Sequence, residues 1–377
     1  MHARPTRQIA LAALFAILTS GVSAATPAGA ATPAGSAGIV LTASNAPSGN
    51  RVVVWRRAAD GALTQVDRVR TGGTGTGDGL GNQGGLTLSR SGRWLHVVNA
   101  GSRSVSVFRV SGTTLTRTDV EPTRGQRPTS VTTHGRLVYV LNAGGTGGIQ
   151  GFRRTQGGRL VPVDGSARPL SGPDVAPAQI GFTPDGSGII VAEVASDRLS
   201  RYRVDGAGKA HGPMVKRSAA AEPFGFDFTP GGHLILSEAG DHIEDASSVS
   251  SYQIAPDGRL QIVSRAVPTT ETAACWVVVT PDGRFAYETN TPDGSITGFR
   301  ISAAGALTIL DANGRTAVTG AASAPIDLDT SADGRFLYVV LAGSDAIAVF
   351  RIDPSDGSLA ARGSVRAPAA ANGLAVI

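Results

Sequence analysis

A short turn of the Pro-Asp-Gly type recurs through the chain at a nearly constant interval, and this repeat constrains the fold more than any other feature. The turn is most complete at Pro184-Asp185-Gly186 and Pro281-Asp282-Gly283, and four weaker copies bring the total to six. The glycines of successive copies lie 43, 51, 46, 51 and 51 residues apart. Because proline fixes φ and glycine accepts positive φ, each turn should join two antiparallel strands. A unit repeated at this period predicts a repeat architecture.

Each turn lies between two short apolar segments, such as Gln179–Thr183 before a turn and Phe285–Asn290 after one. A third segment alternates in period two, as in SVSVFRV from Ser104, and a fourth usually begins with leucine, as at Leu307. We call these segments strands A to D. No stretch keeps a 3.6-residue apolar period, so the units lack helices. Four-stranded units of this length that pack face to face are the blades of a propeller.

The number of strands predicts how the ring closes. Three strands at the start of the repeat region, 38–43, 51–56 and 63–69, match B, C and D, and residues 372–377 match an A strand. Six complete units lie between them, beginning near Asn82, Arg127, Ala176, Glu222, Thr272 and Ser323. Since an open ring would expose unpaired strand edges, we predict an all-β, seven-bladed β-propeller whose C-terminal strand completes the N-terminal blade.

The N-terminal segment has the features of an export signal. Arg4 and Arg7 precede the uncharged apolar run Ile9–Leu18, and small residues at Val22-Ser23-Ala24 offer a cleavage site. Residues 25–37 read ATPAGAATPAGSA, a composition that cannot bury a core. We therefore predict a signal peptide over 1–24, a disordered tether over 25–37 and the propeller over 38–377. The mature protein should be secreted or periplasmic, with no membrane attachment after cleavage.

Charge and cysteine content exclude several classes of partner and cofactor. The 34 Lys and Arg residues exceed the 29 Asp and Glu residues, but the bases are scattered, which does not predict nucleic-acid binding. Cys275 is the only cysteine, so an exported chain of this kind has no internal disulfide. The loop Asp241-His242-Ile243-Glu244-Asp245 could ligate a metal, but such close spacing is more often a solvated acidic turn, so we predict no metal and no cofactor. We expect a monomer that binds a small molecule or an extracellular partner.

The candidate site is the end of the ring where the D–A and B–C connections meet, because B strands end there and A strands begin there. Polar or aromatic side chains recur at these positions. The predicted substrate-binding residues are Gln179, Asn99, Asn142, Trp276 and Asp327. The asparagines have an alternative explanation as turn residues that cap the backbone, and Trp276 could equally pack in the inner wall.

Two carboxylates, Glu193 and Glu238, replace asparagine at the B-strand end of adjacent blades. Carboxylates that face one pocket can separate their pKa values and act as acid and base. Alternatively they bind a cation or pair with Arg198. A free Cys275 is more often a small core residue than a nucleophile.

The repeats SRSGRWLHVVNAGSRSVSVFRV and TPDGRFAYETNTPDGSITGFRI resemble the lactonase-type seven-bladed propellers, which include 6-phosphogluconolactonases and carboxymuconate-cyclising enzymes. The resemblance covers about residues 38–377. It implies a His, two Arg and a Glu around the channel mouth. Glu238 matches the Glu, and Asp197-Arg198 matches an Asp-Arg pair. The other positions fall near Ala178-Gln179, Phe224 and Thr291, which do not supply the expected His and Arg.

Two functions follow from this sequence. As an enzyme, the protein would hydrolyse a lactone, with Glu238 or Glu193 activating water and with Gln179, Asn99 and Arg198 as polarising donors. As a protein without catalytic activity, it would be a binding or interaction propeller in the periplasm or outside the cell. The unmatched cations favour the second function, and the paired carboxylates favour the first.

Overall fold

The computed structural model describes residues 37–377, and it confirms a seven-bladed, all-β propeller. The predicted signal peptide and nearly all of the predicted tether lie outside the described residues. In chain order the strands are β1 (Gly38–Ala43), β2 (Arg51–Arg57), β3 (Leu63–Arg70), β4 (Leu86–Leu88), β5 (Trp94–Asn99), β6 (Ser104–Ser111), β7 (Thr114–Pro122), β8 (Gln126–His134), β9 (Leu137–Gly144), β10 (Gly148–Arg154), β11 (Leu160–Pro162), β12 (Pro177–Phe182), β13 (Gly188–Glu193), β14 (Arg198–Val204), β15 (Ala210–Arg217), β16 (Pro223–Phe228), β17 (Leu234–Glu238), β18 (Ser248–Ile254), β19 (Leu260–Pro268), β20 (Ala274–Val279), β21 (Phe285–Asn290), β22 (Ser295–Ile301), β23 (Leu307–Ile309), β24 (Ala317–Val318), β25 (Pro325–Thr330), β26 (Phe336–Leu341), β27 (Ala346–Ile352), β28 (Leu359–Arg366) and β29 (Asn372–Val376).

Blade 1 has the order β29-β1-β2-β3, and blades 2 to 7 take β4–β7, β8–β11, β12–β15, β16–β19, β20–β23 and β25–β28 as strands A to D. All pairings are antiparallel, and the two-residue β24 adds a fifth strand to blade 6 by pairing with β22. Two short 3₁₀ turns, Val194–Ser196 and Gly240–His242, follow the B strands of blades 4 and 5. Within residues 37–377, no helix has the length and apolarity needed to span a membrane.

The A–B turns form as their residue types predict. At the turn of blade 6 the Gly283 amide donates to the Thr280 carbonyl at 2.8 Å, with Gly283 at φ 72°. The Thr280 hydroxyl donates to the Asp282 carboxylate at 2.6 Å, and the Arg284 amide donates to the same oxygen at 3.1 Å. Glycine supplies the positive φ and aspartate satisfies the free backbone donor, so this tripeptide marks the turn in the sequence.

The ring closes through the two ends of the repeat region, as predicted. Strand β29 pairs with β1 in the register Val40↔Val376 and Leu41↔Ala375. The Ile377 amide adds a hydrogen bond to the Ile39 carbonyl at 2.9 Å. No covalent bond joins these strands, so the closure rests on one sheet edge and on the apolar contacts of Leu374 and its neighbours.

The apolar core lies between neighbouring blades rather than within one of them. Tyrosines on B strands reach across each interface, and Tyr287 donates to the Gly357 carbonyl in the C–D turn of the next blade at 2.7 Å. Tyr139 and Tyr338 make the same contact with Gly208 and Gly61. A Cβ atom at Gly357 would lie 2.5 Å from the Phe285 ring, so the turn needs glycine to pack this closely.

Side chains on the A strand of one blade form hydrogen bonds with backbone groups at the inner edge of the A strand in the next blade. Strand A of each blade faces the axis of the ring and leaves one edge without a partner strand. Gln179 on β12 both donates to the Phe226 carbonyl at 2.9 Å and accepts from the Phe226 amide at 2.7 Å, on β16 of the next blade. Asp227 accepts from the Val279 amide at 2.9 Å in the same way. Further such bonds join Ser130 to Ile180, Thr132 to Phe182 and Asp329 to Val376.

Candidate functional site

The two predicted carboxylates lie on opposite sides of the blade-4 sheet. Glu193 follows Val191 by two residues on β13, and Val191 packs against blade 3. Glu238 follows Leu236 by two residues on β17, and Leu236 packs against blade 4. Since side chains two residues apart in a strand share a face, each carboxylate faces the preceding blade. The structure therefore does not bring Glu193 and Glu238 into one pocket.

Glu238 is fully buried and accepts hydrogen bonds on both carboxylate oxygens. Oε1 accepts from the Ser218 hydroxyl at 2.6 Å and from the Ala220 amide at 2.9 Å. Oε2 accepts from the hydroxyls of Ser248 at 3.0 Å and Ser250 at 2.7 Å. These four donors tie the B-strand end to strand C of its own blade and to the connection from blade 4.

Glu193 has a similar but smaller set of donors. It accepts from the Ser171 amide at 3.0 Å, from the Ser171 hydroxyl and from the Ser196 hydroxyl at 3.3 Å. Arg198 is exposed, and its Nη1 donates weakly to the Ser171 hydroxyl at 3.5 Å. Among residues 37–377, neither carboxylate forms an ion pair with Arg198. The catalytic roles of Glu193, Glu238 and Arg198 stay predictions.

The two predicted asparagines differ in how completely they are satisfied. Asn99 donates to the hydroxyls of Ser104 at 3.1 Å and Ser106 at 2.8 Å, and its Oδ1 accepts from Asn50 at 3.1 Å. Asn142 donates to the Thr123 carbonyl at 3.4 Å, but its buried Oδ1 has no partner. Asn99 thus has the bonding of a structural cap, whereas Asn142 keeps a free acceptor.

A segment from the connection between blades 1 and 2 crosses the channel mouth to blade 6. The Gln83 side chain donates to the Val277 carbonyl at 2.8 Å and accepts from the Val277 amide at 3.2 Å. The Trp276 indole donates to the Asn82 carbonyl at 2.7 Å, and its ring lies 4.9 Å from the Phe224 ring. Trp276 is therefore part of the closure of the mouth. The sequence placed Asn82 and Gln83 at the start of strand A in blade 2, but it did not predict that they would bond to blade 6 across the mouth.

Acidic side chains lie on the inner strands of blades 5 and 7. Asp327 is 3% exposed, and burial, together with neighbouring Asp329, raises its pKa to about 8. Burial also raises the pKa of Asp329 to about 7 and that of Asp227 to about 6, although amides of the backbone oppose both shifts. Asp227 and Asp329 accept from free amides of neighbouring inner strands, at Val279 and Val376, and so help to close the ring, whereas Oδ2 of Asp327 has no hydrogen-bond partner.

Glu288 is the residue that sequence reasoning missed most clearly. It lies on β21, is fully buried, and has no hydrogen-bond partner on either carboxyl oxygen. Burial, with added repulsion from Glu238 and Glu271, raises its pKa well above the usual range. In five of the six other blades the corresponding position is aliphatic (Val97, Val140, Val191, Leu236 and Val339), and in blade 1 it is Thr42, whose hydroxyl donates to the Gly373 carbonyl. Comparing the repeats position by position would have revealed this substitution.

Asn290 shares the face of β21 on which Glu288 lies. The Asn290 amide donates to the hydroxyls of Ser295 at 3.0 Å and Thr297 at 2.9 Å, while its Oδ1 has no partner. Ala286, two residues before Glu288, packs with Ile235 of blade 5, so this face of the strand is turned toward blade 5. Three acceptor oxygens without donors are therefore buried between blades 5 and 6.

Comparison with known proteins identifies the family. The family model described as "Lactonase, 7-bladed beta-propeller" matches residues 48–168 and 179–372, well over half of the chain. The chain belongs to the seven-bladed β-propeller lactonase family. No curated protein matched it.

Solved structures show the same propeller at low sequence identity. A periplasmic gluconolactonase of Pseudomonas aeruginosa has a TM-score of 0.73 at 20% identity, covering 90% of this chain and 99% of that one. A Bacteroides fragilis protein provisionally named a 6-phosphogluconolactonase has a TM-score of 0.73 at 19% identity, covering 90% and 98%. A Lactobacillus plantarum protein has a TM-score of 0.69 at 21% identity, covering 90% and 99%. These likenesses establish the fold of this lactonase-family chain.

The positions at which the family resemblance implied cations have other contacts in this lactonase-family chain. Phe224 packs on Trp276, and the Thr291 hydroxyl donates to the Pro325 carbonyl at 2.8 Å. Cys275 is buried, and burial raises the pKa of its thiol, which disfavours a thiolate. The described part of the chain contains no cluster of His, Cys, Asp and Glu suited to holding a metal ion.

Proposed function

We propose that this chain hydrolyses a lactone, and that Glu288 and Asn290 hold the attacking water. Membership of the lactonase family supports the reaction type. The observation that carries the assignment to a site is Glu288, a carboxyl group that has no donor and lies where five of the six other blades bury valine or leucine. An uncompensated buried carboxyl group lowers stability, which makes a functional reason for its presence the better explanation.

Hydrolysis by this site would use the oxygens of Glu288 and Asn290 that accept no hydrogen bond from the protein. A water that donates one hydrogen to Glu288 and one to Asn290 Oδ1 keeps a lone pair on its oxygen for attack. The water oxygen bonds to the lactone carbonyl carbon as Glu288 accepts a proton. The ring C–O bond then breaks, and the proton returns to the departing ring oxygen, which yields a hydroxy acid. A raised pKa makes the Glu288 carboxylate a stronger base for the first step.

A pH-stat assay of the purified chain on five- and six-membered lactones tests this proposal. We expect turnover above the spontaneous rate, and its loss by a factor of about 100 or more in Glu288→Gln, because the amide cannot accept the proton. Glu288→Leu should be equally inactive, yet should raise the free energy of unfolding by about 1–3 kcal/mol. Full activity in both variants would refute the role of Glu288.

Non-catalytic binding is the second candidate function, and the hydrogen bonding of Glu193 and Glu238 favours it. Their oxygens are occupied by serine hydroxyls and backbone amides, which leaves little capacity to activate water. If the wild-type chain turns over none of the lactones while it still binds a small molecule, this second function replaces the first.

We also propose that the protein is exported. The basic start, the apolar run Ile9–Leu18 and the small residues before Ala25 support cleavage after Ala24. Mass spectrometry of the protein recovered from a secreting host tests it, with a new N-terminus at Ala25 expected. Recovery of the uncleaved chain from the cytoplasm alone would argue against export.

A further inference from the structure

A cleft of about 450 Å³ opens beside blade 3 at the end of the ring where the B–C and D–A connections lie. Three connections form it: the D–A connection from blade 2, the B–C loop of blade 3, and the D–A connection to blade 4. Its polar lining side chains include Arg124, Gln126, Asn142, Gln150 and Arg168. The volume lies within the range of small-molecule sites in proteins.

The charges of the cleft favour an anion. Arg124 and Arg168 line it, whereas no Asp or Glu does. Arg168 is held at the rim because its backbone exchanges hydrogen bonds with Ile149 at 3.0 and 3.1 Å, and its Nη1 donates to the carbonyls of Gly165 at 3.0 Å and Ala167 at 2.5 Å. Arg124 is exposed and forms no ion pair among the described residues, although Glu121 interacts with it electrostatically. The Arg124 guanidinium and the Nε and Nη2 groups of Arg168, which come from different connections, thus remain available to a carboxylate.

The free Oδ1 of Asn142 favours a ligand that can donate a hydrogen bond to it. It is 5% exposed and lines the cleft, and its Oδ1 has no partner while Nδ2 donates to the Thr123 carbonyl. A Cβ atom at Gly125 would lie 2.4 Å from Asn142 Cγ, so glycine at this position leaves the space that the amide occupies. A ligand hydroxyl is the simplest neutral donor for this oxygen.

The B–C loop of blade 3 brings backbone close to the cleft. Residues 144–148 read Gly-Gly-Thr-Gly-Gly, and Gly145 and Gly147 have φ of 65° and 68°. With one side chain in five residues, the loop lets a ligand approach its peptide groups, which side chains elsewhere would shield.

We propose that this cleft binds a small hydroxy acid, with its carboxylate at Arg124 and Arg168 and a hydroxyl donating to Asn142 Oδ1. The cleft and the Glu288 site share no residue, so this binding does not depend on the proposed hydrolysis. A hydroxy acid is also the form that a lactone takes after ring opening, which would make the cleft a site for the product.

Isothermal titration of the full chain with gluconate tests the proposal. We expect binding that weakens as salt is raised, and a loss of about tenfold or more in affinity for Arg168→Gln and for Arg124→Gln. Arg136→Gln is the matched control, because it removes an exposed arginine from the opposite end of the same blade and should leave the affinity unchanged. Asn142→Asp should abolish binding by placing a negative charge in the cleft.

Comparison ligands separate the two parts of the recognition. Glucose offers hydroxyls without a carboxylate, and sulfate offers an anion without a hydroxyl; both should bind at least tenfold more weakly than gluconate. Sulfate binding as tight as gluconate binding would overturn the hydroxy-acid assignment. Wild-type affinity in both arginine variants, or no gluconate binding at millimolar concentration, would overturn the site itself.

Discussion

At the scale of single residues, the chain uses buried carboxyl groups in two contrasting ways. Glu238 has four donors on its two oxygens, whereas Glu288, on the next blade, has none. A buried carboxylate with a full set of donors stabilises its surroundings, while one without donors costs stability. The two residues should therefore respond in opposite directions when the charge is removed.

Replacing Glu238 by glutamine should lower the free energy of unfolding by about 1–3 kcal/mol, because an NH₂ group would face donors that need an acceptor. Chemical denaturation measures the loss, and Glu288→Gln is the matched comparison, since it should not destabilise. An unchanged unfolding midpoint for Glu238→Gln would contradict the structural role. Loss of lactone turnover without loss of stability would restore its predicted catalytic role.

The sequence could predict which residues lie at the strand ends, but not how they are satisfied. Asn99, Asn142, Glu193 and Glu238 were located from the repeat alone. Many of their hydrogen-bond partners lie in connections of irregular length, such as the one that contains Ser218. The repeat pattern does not predict the conformation of those connections. The pattern within strand B of blade 6 does not single out Glu288; only comparison with the same position in the other blades shows that a carboxyl group is unusual there.

At the scale of single elements, the short strand β29 matters most, because it closes the ring. Its five residues supply strand A of blade 1, and among residues 37–377 it is the strand that pairs with the inner edge of β1. This element was predictable because the strand count left three strands at one end and one at the other. Its register was not predictable, since a bulge lies between Leu41 and Ala43.

Deletion of residues 372–377 should leave the protein unfolded or aggregated, because it exposes the edge of β1 and the apolar faces beside it. Size-exclusion chromatography and thermal unfolding check this outcome. The matched control is Val318→Ser on β24, an exposed edge strand of blade 6 that takes no part in closing the ring, which should leave the melting temperature unchanged. A truncated monomer with the wild-type melting temperature would refute closure by β29.

At the scale of the whole molecule, the ring was predictable because each blade repeats the same local signals. The closure of its mouth was not, because the bonded pairs Gln83–Val277 and Asn82–Trp276 are each 194 residues apart in the chain. No periodicity links such residues, and only the folded ring brings them together. The inner wall follows the same rule, since its carboxyl groups become neighbours only when seven blades share one axis.

The acidic inner wall predicts how the stability of the whole ring depends on pH. The pKa values of Asp227, Asp329 and Asp327 are raised to about 6, 7 and 8 in the folded protein. A carboxyl group whose pKa is raised by folding binds its proton more tightly in the folded state. Its stabilising contribution is therefore complete below the pKa of the unfolded chain, near 4, and is lost as pH rises through the folded value.

Accordingly, the free energy of unfolding should fall as pH is raised from 5 to 8.5. Asp329→Asn should flatten this dependence by on the order of 1–3 kcal/mol, less than the full pKa shift implies because Asp329 is partly exposed. The amide oxygen can still accept from the Val376 amide, so the variant keeps the edge contact and loses only the titration. Urea denaturation across this pH range measures the effect, with the exposed Asp257→Asn as control. A stability that rises with pH, or an Asp329→Asn curve parallel to that of the wild type, would show that the inner carboxyl groups do not set the pH dependence.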